Sequence, residues 1–165
     1  MDAIDRKILA RVQNDSSQTY AEVGAAVGLS ASSVNDRLKR LRAEGALRRL
    51  TAEVDPAAFD LNLLAFILVA VADGAAEAEF RARMQAAPEV LECHHVTGEF
   101  SYLLKLRLRD TAQLERFLMD RLKAVKGVGR TQTLIALSSS KETHILSAPQ
   151  TGDDAGSASK SNRHA

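Results

Sequence analysis

Between Arg37 and Arg49 the chain carries six lysines or arginines (Arg37, Lys39, Arg40, Arg42, Arg48 and Arg49) against a single acid, Glu44. The formal net charge of all 165 residues is only +1, so this positive density is local. Just before it stand the short hydrogen-bonding side chains Ser32, Ser33 and Asn35, followed by Asp36. Guanidinium and ammonium groups neutralise phosphates, and small hydroxyl and amide side chains match base edges. A solvated helix face would use the same residues differently. Asp36 with Arg40, and Arg40 with Glu44, are i, i+4 opposite-charge pairs, each worth about 0.2–0.5 kcal/mol.

Other reactive residue types form no site. His94 and His95 are adjacent on a predicted strand, so their side chains point to opposite faces and cannot chelate one metal together. Cys93 is the one cysteine and has no partner at zinc-site spacing. No GxSxG, P-loop, GxGxxG or HExxH pattern occurs, so no catalytic residue, metal ligand or cofactor is expected. A lone cysteine also excludes an internal disulfide and fits a reducing compartment. The N-terminus lacks the pattern of a signal peptide, and the longest apolar run, Leu63–Ala72, is too short to cross a bilayer. A soluble cytoplasmic protein with no membrane partner is the expectation, with 45% hydrophobic residues to build one domain or two small ones.

The elements that must position the basic stretch read as three helices within residues 1–49. Asp2 caps the first, which sets Ile4, Ile8, Leu9 and Val12 on one face. "TYAE" (Thr19–Glu22) has capping-box form and opens the second, with Val23, Ala26 and Val27 following. Gly28 ends it and Ser30 caps the third, whose apolar stripe is Val34, Leu38 and Leu41, stopped by Gly45. Two short helices joined by a Gly-Leu-Ser turn and braced by a third have helix-turn-helix grammar, which other three-helix bundles share. Residues 50–61 read as a hinge or linker, with a candidate strand at Leu47–Asp55. Residues 62–146 then follow the order β-α-β-β-α-β: a strand at Asn62–Ala72, a helix at Ala75–Ala87 and a strand through "EVLECHHVTG". Next come an alternating strand in "SYLLKLRLRD", a helix at Thr111–Val125 and a strand in "GVGRTQTLIALSSS". The expected class is α+β, a helix-turn-helix domain followed by a ferredoxin-like domain. Residues 147–165 have almost no large apolar side chain and read as a disordered tail.

Six stretches in order, "IDRKILARVQND", "VGLSASSVNDRLKRLRAEG", "VDPAAF", "PEVLECHHVTGEFSYLLKL", "FLMDRLKAVKGV" and "TQTLIAL", resemble the Lrp/AsnC family of bacterial and archaeal regulators. The likeness spans about Asp2 to Lys141. It implies an N-terminal domain that binds double-stranded DNA. It also implies a C-terminal domain that dimerises and often binds an amino acid, with assembly up to octamers. With Val34, Leu38 and Leu41 inward, Ser32, Ser33, Asn35, Asp36, Lys39 and Arg40 occupy the outer half of the third helix. Ser32, Ser33 and Asn35 then suit base edges, and Lys39, Arg40 and Arg42 suit phosphates, extended by Arg48 and Arg49. Asp36 either accepts from a cytosine amine or orients Arg40.

The resemblance further implies an effector turn. Where the family has Gly-x-x-Asp-Tyr, this chain has Gly98, Glu99, Phe100, Ser101 and Tyr102. Ser101 replaces a carboxylate by a hydroxyl, which weakens a grip on an ammonium group by roughly half, and Glu99 can substitute if it turns inward. Thr131 and Thr133 match positions that donate hydroxyls to such a ligand. The expected function is a sequence-specific transcriptional regulator responsive to a free amino acid. The alternatives are an architectural protein that wraps DNA with little sequence preference, and a small-molecule-binding or enzymatic ferredoxin-like protein whose helical domain mediates assembly.

Overall fold

A computed structural model describes residues 1–147, so the expected tail lies, except for Ser147, outside the described residues. The described residues divide into two compact units, residues 1–53 together with 142–147, and residues 54–141.

In the first unit, α1 (Ala3–Asn14), α2 (Tyr20–Val27) and α3 (Ala31–Ala43) start and stop on local chemistry. Asp2 caps α1, Thr19 and Glu22 cap α2 reciprocally, and Ser30 accepts from the Ser33 N–H at the start of α3. Their apolar stripes meet in one cluster of Ile8, Val12, Val23, Val34, Leu38, Leu41 and Leu47, with Ile4 and Leu9 partly buried beside it. The turn from α2 to α3 depends on two glycines. Gly28 takes a left-handed φ of 74°. Gly24 receives the Leu29 N–H on its carbonyl at 2.9 Å. A Cβ on Gly24 would lie 2.4 Å from the Leu29 carbonyl oxygen, so only a bare Cα allows that approach. Residues 48–55 form neither helix nor strand, so the strand expected at Leu47–Asp55 is absent. The Gln13 side chain holds the Leu146 backbone at 2.7 and 3.1 Å, which places the last described residues with the helices and not with the sheet.

The second unit contains β1 (Leu63–Val71), α4 (Ala75–Ala86), β2 (Val90–His95), β3 (Tyr102–Leu108), α5 (Thr111–Arg116) and β4 (Val128–Ile135). A short 3-10 turn at Pro56–Phe59, capped by Asp55, precedes them. The sheet is antiparallel with order β2-β3-β1-β4, as the split βαβ arrangement requires. Strand alternation sorts the residues: Ala65, Ile67 and Val69 of β1 pair with Leu106, Leu104 and Tyr102 of β3. These side chains bury against Phe80, Met84, Leu114, Phe117 and Leu122. The opposite face carries Leu64, Phe66 and Leu68 of β1 opposite Arg107, Lys105 and Leu103, with Gln132 and Leu134 of β4 alongside.

The helix expected over Thr111–Val125 does not stay regular. After Arg116 it widens into a π-helical turn, Phe117–Leu122. The buried pair Phe117 and Leu122 is five residues apart, and Lys123 donates to the Leu118 carbonyl at 2.9 Å, an i to i−5 bond. A turn of that width returns residue i+5 to the core-facing side, where ordinary helical spacing would put the exposed Arg121.

Candidate nucleic-acid interface and effector turn

Of the nine residues expected to face DNA, Ser32, Asp36, Lys39, Arg40, Arg42, Arg48 and Arg49 are exposed, and Ser33 and Asn35 are half-buried. The inward stripe of Val34, Leu38 and Leu41 therefore leaves the outer face of α3 open. Near its start, Ser30 hydroxyl contacts to Ser32 (3.1 Å) and Ser33 (2.9 Å) make a linked set of donors and acceptors. Lys39, Arg42, Arg48 and Arg49 project cations beyond it. This surface can hydrogen-bond base edges at one end and neutralise phosphates at the other.

Arg40 departs from its expected place. Its ion pairs are with Asp5 and Glu44, so Asp36 is not the residue that orients it. One nitrogen of its guanidinium donates to both carboxylate oxygens of Asp5, each at 2.8 Å, and the group lies 3.7 Å from Glu44. Arg37 donates from one nitrogen to Asp2 and Asp5, each at 2.7 Å. Asp5 is fully buried, with 0% exposure, at the foot of α1. Its Oδ2 also receives the Asp2 N–H at 2.9 Å, while Asp2 receives the Asp5 N–H at 2.7 Å. Burial raises the carboxyl's pKa, but the Asp2 N–H and the two guanidinium groups outweigh it, and the net shift is well below the usual carboxylate range. Asp5 is thus a buried anion satisfied from three sides. Sequence reasoning took Asp2 as the cap and missed Asp5, although an acid three residues after a capping acid is the capping-box signature.

The turn expected to hold an effector is assembled differently from the expectation. Ser101 does not offer its hydroxyl freely. It lies 3.3 Å from the Val71 N–H, which donates to it, and 3.4 Å from the Val71 carbonyl. The Ser101 N–H donates to Val69 at 2.9 Å. The β1–β3 ladder ends at the Val69–Tyr102 pair, and the Ser101 hydroxyl takes up the Val71 backbone groups just beyond it. Glu99, exposed, is ion-paired with Arg130 of β4, whose guanidinium sits 4.9 Å from the centre of the buried Phe100 ring. Gly98 turns the chain with φ 113°. Thr131 and Thr133 pair with Val69 and Ile67, so the register puts them on the helix-covered face and not beside Glu99. Arg130 is the residue that links β4 to the turn, and sequence reasoning missed it.

Tyr102, the last residue of that turn, belongs to the core. Its hydroxyl donates to Glu77 of α4 at 2.6 Å, and burial together with Glu77 pushes its pKa up to about 12. His95 stacks on its ring at 5.0 Å, and His94, across from Leu103, contacts Glu92 at 3.1 Å. Burial pushes the Cys93 thiol up. Among the described residues no group of three or more His, Cys, Asp or Glu could hold a metal ion, and no helix is long and apolar enough to cross a membrane.

Comparison with known proteins agrees with this architecture. Residues 1–42 match the AsnC-type helix-turn-helix domain and residues 64–146 the Lrp/AsnC ligand binding domain. An HTH-type transcriptional regulator from Pyrococcus furiosus is 36% identical over 146 residues, covering 88% of this chain and 95% of the relative. The leucine-responsive regulatory protein of Escherichia coli is 33% identical over 148 residues, covering 88% and 90%. A transcriptional regulator from Neisseria meningitidis, solved as a complex with L-Met, superposes with a TM-score of 0.83 at 34% identity, over 89% of this chain and 96% of that one. With three capped helices that expose a basic face, a β2-β3-β1-β4 sheet and matches across both units, the chain belongs to the Lrp/AsnC family.

Proposed function

We propose that the protein is a transcriptional regulator that reads duplex DNA with α3 and responds to a free amino acid through its C-terminal unit. The observation that carries the first half is the exposed face of α3, where Ser32, Ser33 and Asn35 precede Lys39 and Arg42 on a helix whose other side is buried. An assembly helix would have no use for cations confined to that face. Ser32, Ser33, Asn35 and Asp36 read base edges, and Lys39, Arg42, Arg48 and Arg49 bind phosphates. One helix-turn-helix unit offers little contact area, so two copies bind half-sites about 34 Å apart on the duplex. The second copy docks through the sheet face that bears Phe66, Leu68, Leu103 and Leu134 in the C-terminal unit, and dimers assemble further. Such a protein works in the cytoplasm on the chromosome.

The effector half rests on the family's ligand binding domain, on the L-Met complex of the Neisseria protein and on the Glu99–Arg130 pair. That pair holds both charges a zwitterion needs, a carboxylate for the ammonium group and a guanidinium for the carboxylate. Ser101 shapes the turn instead of gripping the ligand, and Gly98 gives the backbone room. Thr131 and Thr133 support the strand behind it.

The test is selection of duplexes from a randomised pool by the full-length protein, followed by binding measurements with and without each of the twenty amino acids. A regulator gives a selected sequence bound at least about a thousandfold more tightly than a scrambled one. Equal affinity for both would favour an architectural wrapping protein. Glu99→Gln should abolish any amino-acid effect, and a response unchanged by that substitution would move the effector site elsewhere.

A further inference from the structure

The four-residue ionic cluster between α1 and α3 has a consequence for how the DNA-reading helix is aimed. Asp5 sits on α1, and Arg37 and Arg40 sit three residues apart on α3, so the three side chains span two helices whose other contacts are apolar. Apolar stripes are tolerant of small rotations, since Val, Leu and Ile side chains repack with little directional cost. Charge-assisted hydrogen bonds of 2.7 and 2.8 Å to one buried carboxylate are directional, and they fix both the rotation of α3 about its axis and its slide along α1. Base reading needs that fixed: a rotation of α3 would carry Ser32, Ser33 and Asn35 away from the edges they face.

We infer that Asp5, Arg37 and Arg40 form an α1–α3 clamp that aims the recognition helix, so that Arg37 and Arg40 are positioning residues for base reading and not phosphate ligands. The inference rests on the reading of α3 as the DNA-contacting helix. It separates two arginines of one basic stretch by their partners. Arg40 is committed to Asp5 and Glu44, whereas Lys39 and Arg42 project outward from the neighbouring positions. To reach a phosphate, the Arg40 guanidinium would have to give up both of its bonds to the Asp5 carboxylate and leave Arg37 as the buried anion's one guanidinium partner, and stripping a buried charge of a partner is costly.

Salt dependence separates the roles, because each phosphate neutralised contributes to the slope of log affinity against log salt, and a residue that merely aims the helix does not. The full-length protein is titrated over a salt series with its selected duplex and with a scrambled one. Lys39→Gln is expected to flatten the slope by about one ion on both duplexes. Arg40→Gln should leave the slope at the wild-type value and lower the ratio of selected to scrambled affinity by about tenfold, the size of a mismatched base pair. Asp5→Asn, which removes the anion and keeps Arg40, should lower the ratio similarly without flattening the slope. Should Arg40→Gln fail to fold, Arg40→Lys keeps the charge but cannot hold the arginine geometry. It should then lose part of the ratio at an unchanged slope. A slope flattened by Arg40→Gln as much as by Lys39→Gln, or a ratio untouched by both Arg40→Gln and Asp5→Asn, would overturn the clamp. An unchanged slope in Lys39→Gln with a lowered ratio in the other two would keep the clamp and remove Lys39 from the phosphate contacts. A protein that selects no duplex at all would overturn the reading of α3, and the clamp with it.

Discussion

Each unit of this chain is stabilised internally by a different kind of interaction. The C-terminal unit buries fourteen apolar or aromatic residues on one face of a sheet, including Phe80, Tyr102 and Phe117. Among its described residues the N-terminal unit buries seven, none of them aromatic, and adds a fully buried carboxylate between two arginines. A core of half the size leaves more to geometry. In the helical unit one close backbone approach at Gly24 and one ionic cluster at Asp5 orient the elements, whereas in the sheet unit the ladder and the apolar layer do so. Aromatic and aliphatic packing is forgiving of solvent conditions. A buried ion pair is sensitive to pH and to loss of either partner.

That contrast can be broken in order of effect. Leu104→Ala, at the centre of β3 with 0% exposure, should cost the C-terminal unit about 2–5 kcal/mol. Urea unfolding followed by amide exchange in β3 and α3 would show it, and equal loss of protection in α3 would mean that the units unfold as one. Gly24→Ala should destabilise the N-terminal unit by about 1–3 kcal/mol, because the methyl group meets a backbone carbonyl that cannot move without opening the α2–α3 turn. A neutral result would show that the turn has room to relax.

The third experiment is acid titration. The folded pKa of Asp5 lies below its unfolded value, so its stabilisation is complete above about pH 4 and is lost as pH falls through the folded value. Asp2, Arg37 and Arg40 are the charges that face it. Exchange protection in α3 should therefore fall below pH 4, and Asp5→Asn should be less stable at neutral pH with a flatter acid profile. Identical profiles in the two proteins would assign the acid loss to other groups, such as Glu22, whose pKa is also lowered by its capping bonds. The smallest effect is expected at Ser101→Ala, about 0.5–1.5 kcal/mol, through the Val71 N–H left without its acceptor. Calorimetric melting would detect it, and a larger loss would show that the end of the β1–β3 ladder depends on that hydroxyl.

The local grammar of this chain was legible without coordinates. Asp2, Thr19, Ser30 and Gly28 are recognisable as helix boundaries because a cap involves residues within three positions of each other. The alternation of Leu104, Leu106 and Leu108 with Lys105 and Arg107 announces a half-buried strand for the same reason. The order of elements then leaves few topologies, and the ferredoxin-like order is the one observed. The boundaries least visible were those where backbone geometry responds to packing, at Leu47–Asp55, where no strand forms, and at Phe117, where the helix widens.

Which partner a charged or polar side chain takes was decided by the tertiary structure. The sequence offers Arg40 two acids four residues away, Asp36 and Glu44, and the fold presents a better one thirty-five residues away in Asp5, dry and able to accept from both arginines. Ser101, where the resemblance led to the expectation of a ligand-facing hydroxyl, faces Val71, thirty residues back, because the β1–β3 ladder ends at Val69 and Tyr102 and the next backbone groups on that edge need a partner. Glu99 meets Arg130 across the sheet, a pairing no local spacing encodes. Helical and strand periods determine where a residue lies on its own element. The anion or carbonyl that it finally meets belongs to another element, and only the packing of the two fixes the distance on which the interaction depends.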